Sequence, residues 1–235
     1  MDGFMELVRG PLFRFAFTIA VVGLAAQAFQ SAAGLLFAII RAGDKRVDVS
    51  GILWRTADRL NPFYYLSGGS SRMLYTISSI LFHIGVVTVP IFYEGHIRLW
   101  ERALDVSWPA LPASAADGLT LLTIATGSLL IILRLGNGEA RKTSRIQDWV
   151  LTPFLVFAFA MGYLLGHPGM SPFGLSTTIV IHVLLAEVLL MIAPFTKIVH
   201  CVMLPFARFA SEWTWRLVPG AAAHVSRTLG KENQR

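Results

Sequence analysis

Cysteine is all but absent from this chain: it has one, Cys201. It therefore makes no internal disulfide and cannot by itself ligate an iron–sulfur cluster. Charge is scarce as well. Only 14% of the 235 residues are Asp, Glu, Lys or Arg, against 54% hydrophobic, and the mean hydropathy is +0.60. A soluble domain of this length needs far more polar surface to stay dispersed. The formal net charge of +6 does not point to nucleic acid, because the basic residues sit at the ends of apolar runs and not on a polar domain; that is how a membrane protein carries positive charge. Also missing are a nucleophile elbow, a phosphate-binding loop, a metalloprotease motif and any repeat of solenoid period. No polar domain is set aside for a reaction between two soluble substrates.

What the chain has in quantity is long apolar stretches. A helix needs about 20 apolar residues to cross a bilayer core. Five stretches are predicted to do so: Pro11 to Ile40, Met73 to Ile97, Leu119 to Leu135, Val150 to Leu165 and Leu175 to Leu204. The first has no basic region before it and no small-residue cleavage site after Gln27 and Gln30, so it reads as a retained helix and not as a signal peptide. Asn61-Pro62 and the Ser67–Ser71 run punctuate a loop. The expected fold is all-α: an integral membrane five-helix bundle over residues 1–208, followed by a tail at 209–235.

Orientation follows from the basic residues. One side has sixteen of the twenty lysines and arginines. They are Arg41, Lys45, Arg46, Arg55, Arg59 and Arg72 before the second stretch, Arg134, Arg141, Lys142 and Arg145 before the fourth, and Lys197, Arg208, Arg216, Arg227, Lys231 and Arg235 late in the fifth and after it. The other side has Arg9, Arg14, Arg98 and Arg102. This places the N-terminus outside and the C-terminal tail in the cytoplasm of a bacterial inner membrane, which requires an odd number of spans.

Six histidines occur, and four of them fall in these stretches: His83 and His96 in the second, His182 and His200 in the fifth. A lone intramembrane histidine can simply hydrogen-bond a neighbouring helix. Four of them, two on each of two helices, match the ligand set of two b-type haems, since imidazole is the axial ligand of such haems and bundles bind them between facing helices. Because the two helices run in opposite directions, the expected pairs are His83 with His200 (inner) and His96 with His182 (outer). On the fifth helix the 18-residue spacing is about five turns and 27 Å, which puts both rings on one face. On the second, the 13-residue spacing leaves the rings roughly 140° apart. A kink at Pro90 is expected to correct this, with Gly95 leaving room for a porphyrin.

Leu81-Phe82-His83-Ile84-Gly85, Gly95-His96, Ile181-His182 and Ala193-Pro194-Phe195-Thr196-Lys197 followed by His200 resemble the gamma-subunit family of respiratory nitrate reductases over residues 71 to 208. The longer spacing around Pro90 and the Trp108-Pro109-Ala110-Leu111-Pro112 loop look closer to a sister branch, the cytochrome b subunits of the transmembrane redox complexes of sulfate-reducing bacteria. The resemblance implies two bis-histidine haems b, a quinone or a multihaem cytochrome c outside, and an iron–sulfur subunit on the cytoplasmic face. The chain is then an electron-transfer subunit of an oxidoreductase complex. A quinol-oxidising gamma subunit is the alternative within that fold, and a transporter relaying protons through histidines is the alternative outside it.

Other residues carry two readings each. Glu94 and Arg98 flank His96 and form either an interfacial charge pair or a site for a quinone head group and its protons. Glu187 is either a buried proton carrier or a partner of a glutamine or serine on the first helix. Lys197 and Arg72 either pair with haem propionates or snorkel to the interface. His167 and His224 are expected to be solvated, and Cys201 to fill a gap as a small apolar residue. The tail, with Trp213 and Trp215, and the first cytoplasmic loop are the expected dock for the iron–sulfur subunit over His200.

Overall fold

The computed structural model describes residues 2–41, 49–60 and 70–204, with isolated positions at 207, 210, 211, 227 and 228. Nearly all of the expected tail, with Trp213, Trp215 and His224, lies outside the described residues. So does the loop at 61–69.

Among the described residues there are helices and no strands. The helix α1 (Asp2–Leu7) passes through a π-helical turn (Val8–Leu12) into α2 (Phe13–Arg41). Pro11 lies in that turn, where its missing N–H and its ring disturb the regular bonding pattern. There follow α3 (Val49–Leu60), α4 (Ser70–Phe92), α5 (Glu94–Leu104), α6 (Ala113–Gly136), α7 (Gly138–Thr143), α8 (Ile146–Gly166) and α9 (Leu175–Ile192). Five helical segments are long and apolar enough to cross a membrane: Gly3–Phe37, Arg72–Phe92, Ala113–Gly136, Ile146–Gly166 and Leu175–Phe195. The chain is a multi-pass membrane protein by that criterion.

The third and fourth spans, Ala113–Gly136 and Ile146–Gly166, run beyond the apolar stretches at both ends, and the third also carries hydroxyl-bearing residues in its middle. Thr120, Thr123 and Thr126 donate to the carbonyls of Ala116, Leu119 and Leu122 at 2.7, 2.6 and 2.7 Å. A hydroxyl that bonds back into its own helix leaves no unsatisfied donor in hydrocarbon.

The chain divides into two compact units. In the first, residues 1–17 and 65–192, α4 packs on α6, α6 on α8, α8 on α9, and the π-helical turn on α9. Helices in lipid gain little from hydrophobic burial and associate through small residues that let backbones approach. Gly85 and Gly127 serve this purpose. A Cβ on Gly85 would lie 1.7 Å from Thr123 Oγ1 and 3.0 Å from Thr123 Cβ, and one on Gly127 would lie 2.5 Å from Val156 Cγ2 and 2.7 Å from Phe82 Cε2. Gly85→Ala is expected to cost about 1–3 kcal/mol through overpacking, and thermal unfolding in detergent measures it. Adding Thr123→Gly should recover most of the loss. An unchanged melting temperature for the single variant would mean that α4 and α6 do not pack this closely.

At the other end of α6, Arg134 donates to the carbonyl of Asp148 at 2.6 Å and lies 5.9 Å from the Trp149 ring centroid. It thereby ties the end of α6 to the start of α8. Asn137 caps α7 by accepting from the Glu139 and Ala140 amides at 3.0 and 3.2 Å.

The second unit comprises residues 18–64 and 193–235. Here the expected continuous helix from Leu175 to Leu204 is interrupted: α9 stops at Ile192 and short 3-10 turns follow at Ala193–Phe195 and Lys197–Val199. The cause is local. Pro194 is buried against Gly23 of α2, where a Cβ would lie 2.6 Å from its ring, and its carbonyl accepts from Gln27 Nε2 at 3.3 Å. That carbonyl therefore keeps a partner inside the apolar zone although the helix is broken. α3 is amphipathic and leaves Leu53 and Trp54 exposed.

Candidate functional site

The second predicted span is not one helix through to Ile97. Pro90 lacks an N–H, and α4 ends two residues beyond it, at Phe92. Tyr93 then takes an extended conformation (φ −73°, ψ 129°) before α5 begins at Glu94. A break in an apolar zone leaves carbonyls without their helical partners. Here three consecutive ones are accounted for: Pro90 O accepts from His96 Nδ1 at 3.1 Å, Ile91 O from Trp108 Nε1 at 2.9 Å, and Phe92 O from the Leu111 amide at 2.9 Å. The loop containing Trp108 therefore clasps the break, and His96 closes it from the other side. Gly95 makes room for its own neighbour: a Cβ there would lie 2.8 Å from Tyr93 Cε1. The Tyr93 ring stands edge-on to His96 at 5.4 Å.

This break removes the angular mismatch between His83 and His96, which belong to separate helices. It brings His96 to His182 of α9, with ring centroids 6.1 Å apart and planes within 5° of parallel. His182 Nδ1 donates to Ala158 O of α8 at 3.2 Å. Gly162, one turn further along α8, leaves the space that the imidazole fills: a Cβ there would lie 2.9 Å from His182 Cε1. A carbonyl can only accept, so Nδ1 carries the proton on both rings and each Nε2 keeps its lone pair.

Ligating histidines characteristically donate their other N–H to a backbone carbonyl, as His96 and His182 do. That donor set is of the kind that could hold a bis-histidine haem iron.

The other two histidines share this anchoring. His83 on α4 directs Nδ1 to Ser79 O at 2.6 Å and stands edge-on to Phe82 at 5.9 Å. His200 directs Nδ1 to Lys197 O. Its Nε2 lies 3.9 Å from Cys201 Sγ, a contact that is the main cause raising its pKa above the ordinary value. Because the helix is broken at 193–199, the 18-residue spacing does not translate into five turns on one face, and that geometric argument fails. Cys201 is exposed and does not fill a gap.

The chain is 30% identical over 205 residues to a protein of Nitratidesulfovibrio vulgaris strain Hildenborough, and the match covers 86% of this chain and 88% of that protein. The chain belongs to that protein's family. No family model matches the chain. No solved structure matches it either.

The remaining predicted residues separate. Glu94 and Arg98 bond each other at 2.5 Å with side chains 63% and 62% exposed, the geometry of a solvated i, i+4 pair. Arg72 and Lys197 are exposed. Glu187 is 1% exposed and its carboxyl has no hydrogen-bond partner among the described residues. Of the first-helix glutamines, Gln27 donates to Pro194 O instead. His167 corrects an expectation. It is not simply solvated: its ring stacks on Tyr163 at 4.2 Å, Nδ1 meets Tyr163 O at 3.0 Å, and Nε2 lies 3.5 Å from Asp117 Oδ2. Gly162 and Ala158 were not singled out from the sequence. Their role depends on how α8 meets α9, and a glycine or alanine within an apolar run carries no local signal of it.

Proposed function

We propose that the chain is the membrane-bound dihaem cytochrome b subunit of a respiratory redox complex. It moves electrons across the bilayer between a quinone or a cytochrome c outside and an iron–sulfur subunit at the cytoplasmic face. The observation that carries this reading is the parallel His96–His182 pair, 6.1 Å between centroids, with both Nδ1 atoms held by carbonyls. His182 joins α9 to α8 through one nitrogen only and His96 bonds Pro90 O through one only, which leaves Nε2 of each ring to bind a ligand. When bound there, a haem supplies a one-electron iron couple inside the apolar zone.

The residues of this chain do the positioning. Trp108 and Leu111 hold the break that aims His96, Ala158 O fixes the rotation of His182, and Gly162 leaves its ring space. The inner pair, His83 with His200, is proposed from the sequence, and its support from geometry is the carbonyl anchoring of each ring considered by itself. The orientation with the N-terminus outside is proposed from the distribution of basic residues.

Reduced purified protein should show a sharp α band of b-type haem, and a pyridine haemochrome assay should count two haems b per copy of this chain, after allowance for haems on other subunits. No b-type haem at all would remove the reading in favour of a transporter with a histidine relay. One haem per copy would remove the inner pair.

A further inference from the structure

Glu187 is the one glutamate buried within the spans of the described residues, 1% exposed on α9. Both carboxyl oxygens are enclosed without a hydrogen-bond partner among those residues. An ionisable group at membrane depth is costly and is retained for function far more often than by accident. The usual ways of paying that cost are missing. The only lysines or arginines within the five spans are Arg9, Arg14, Arg72 and Arg134, and none of them forms a salt bridge or hydrogen bond with Glu187.

The elements packed against α9 offer nothing either. From α8 come Asp148, whose carboxylate accepts from the Arg145 amide, and Tyr163, whose ring stacks on His167. From the π-helical turn comes Arg9, which is exposed. From α9 itself comes His182, whose Nδ1 is on Ala158 O. A carboxylate buried without a counter-charge is costly, whereas a carboxylic acid there costs only its unmade hydrogen bonds.

The proposed haem centre changes charge by one unit with each electron. It is held by His182, five residues before Glu187 and so about 7.5 Å away along the helix axis. We infer that Glu187 is an intramembrane proton-binding site that is ionised opposite ferric iron and protonated opposite ferrous iron, so that electron entry draws a proton into the bilayer. This rests on the haem reading above and adds the compensating group to it. With haem bound there, His96 and His182 would hold it, and it would take up the one electron supplied by the reduced quinone or cytochrome partner. One proton from water forms a single O–H bond on the Glu187 carboxyl, and no other bond is made or broken. Five residues also turn the helix by about 140°, so the carboxyl and the iron would lie on the order of 15 Å apart; at an effective dielectric constant near 20 a unit charge at that distance changes proton affinity severalfold, which shifts the carboxyl's protonation wherever the pH is near its own titration.

The test compares the whole purified complex with its Glu187→Gln and Glu187→Asp variants, measuring haem content, the midpoint potentials at several pH values, and redox-induced infrared difference spectra. The wild type should show one haem component whose potential falls as pH rises, by at most about 59 mV per tenfold change in proton activity. It should also show a protonated-carboxyl band that grows on reduction. Glu187→Gln should keep both haems, lose most of that slope and lose the band, and Glu187→Asp should retain a slope with a displaced band. A slope and a band identical in wild type and Glu187→Gln, with haem content unchanged, overturn the proton site and leave the cytochrome reading standing. Absence of b-type haem from the wild type overturns both. If Glu187→Gln does not assemble, Glu187→Asp decides: an undisplaced band and an unaltered slope there overturn the proposal.

Discussion

His182→Ala is expected to halve the haem content and to remove one of two midpoint components, and His96→Ala is expected to remove the same one. The two rings come together from α5 and α9, 6.1 Å between centroids and nearly parallel, and each has one nitrogen committed to a carbonyl. Neither has a neighbouring histidine that could replace it, since His167 is engaged with Tyr163 and Asp117. On the proposed reading, loss of one axial imidazole would leave the iron with a single protein ligand, so the haem should be lost or become high-spin. His83→Ala and His200→Ala should together define the other component. Redox titration of the reduced α band in each variant reads the grouping directly. Should His96→Ala and His182→Ala affect different components, the pairing across α5 and α9 is wrong.

A second large effect is expected at a residue with no ligating atom. A Cβ on Gly162 would meet His182 Cε1 at 2.9 Å, Nδ1 at 3.4 Å and Nε2 at 3.7 Å. The imidazole cannot retreat along its own helix without giving up the bond to Ala158 O, and α8 and α9 are packed against each other. Gly162→Ala should therefore tilt His182, costing about 1–3 kcal/mol of overpacking, and should shift the potential or spin state of the haem shared with His96. Gly162→Val should empty that site. The other haem should keep its potential in both variants. Gly118→Ala is the control: nothing lies within 4 Å of a Cβ there, and its spectrum should match the wild type. Retention of an unaltered spectrum by Gly162→Val would show that His182 does not sit beside α8 as described.

Much of this was legible in the order of the residues. Hydropathy is a property of the chain itself, so the runs that become the five spans can be read directly, as can the positions of His83, His96, His182 and His200 within or beside them. The helix ends were less legible. The run through Pro90 reads as one kinked helix because Tyr93, Glu94 and Gly95 carry no strong stop signal. The break at Tyr93 is settled by Trp108 and Leu111, residues at least 17 positions away that satisfy the freed carbonyls. Likewise Ala193-Pro194-Phe195 announces a proline, but the complete interruption before His200 depends on Gly23 and Gln27 of α2 receiving Pro194. Helical spacing arguments fail at such places because they assume a continuous helix, and whether a proline kinks or ends a helix in lipid depends on whether partners exist for the carbonyls it releases. The sequence by itself determined the membrane class, the spans and the histidines. Only tertiary structure decided which way the rings point, through Ala158 O and Gly162, and that the one deeply buried carboxyl, Glu187, has no hydrogen-bond partner among the described residues.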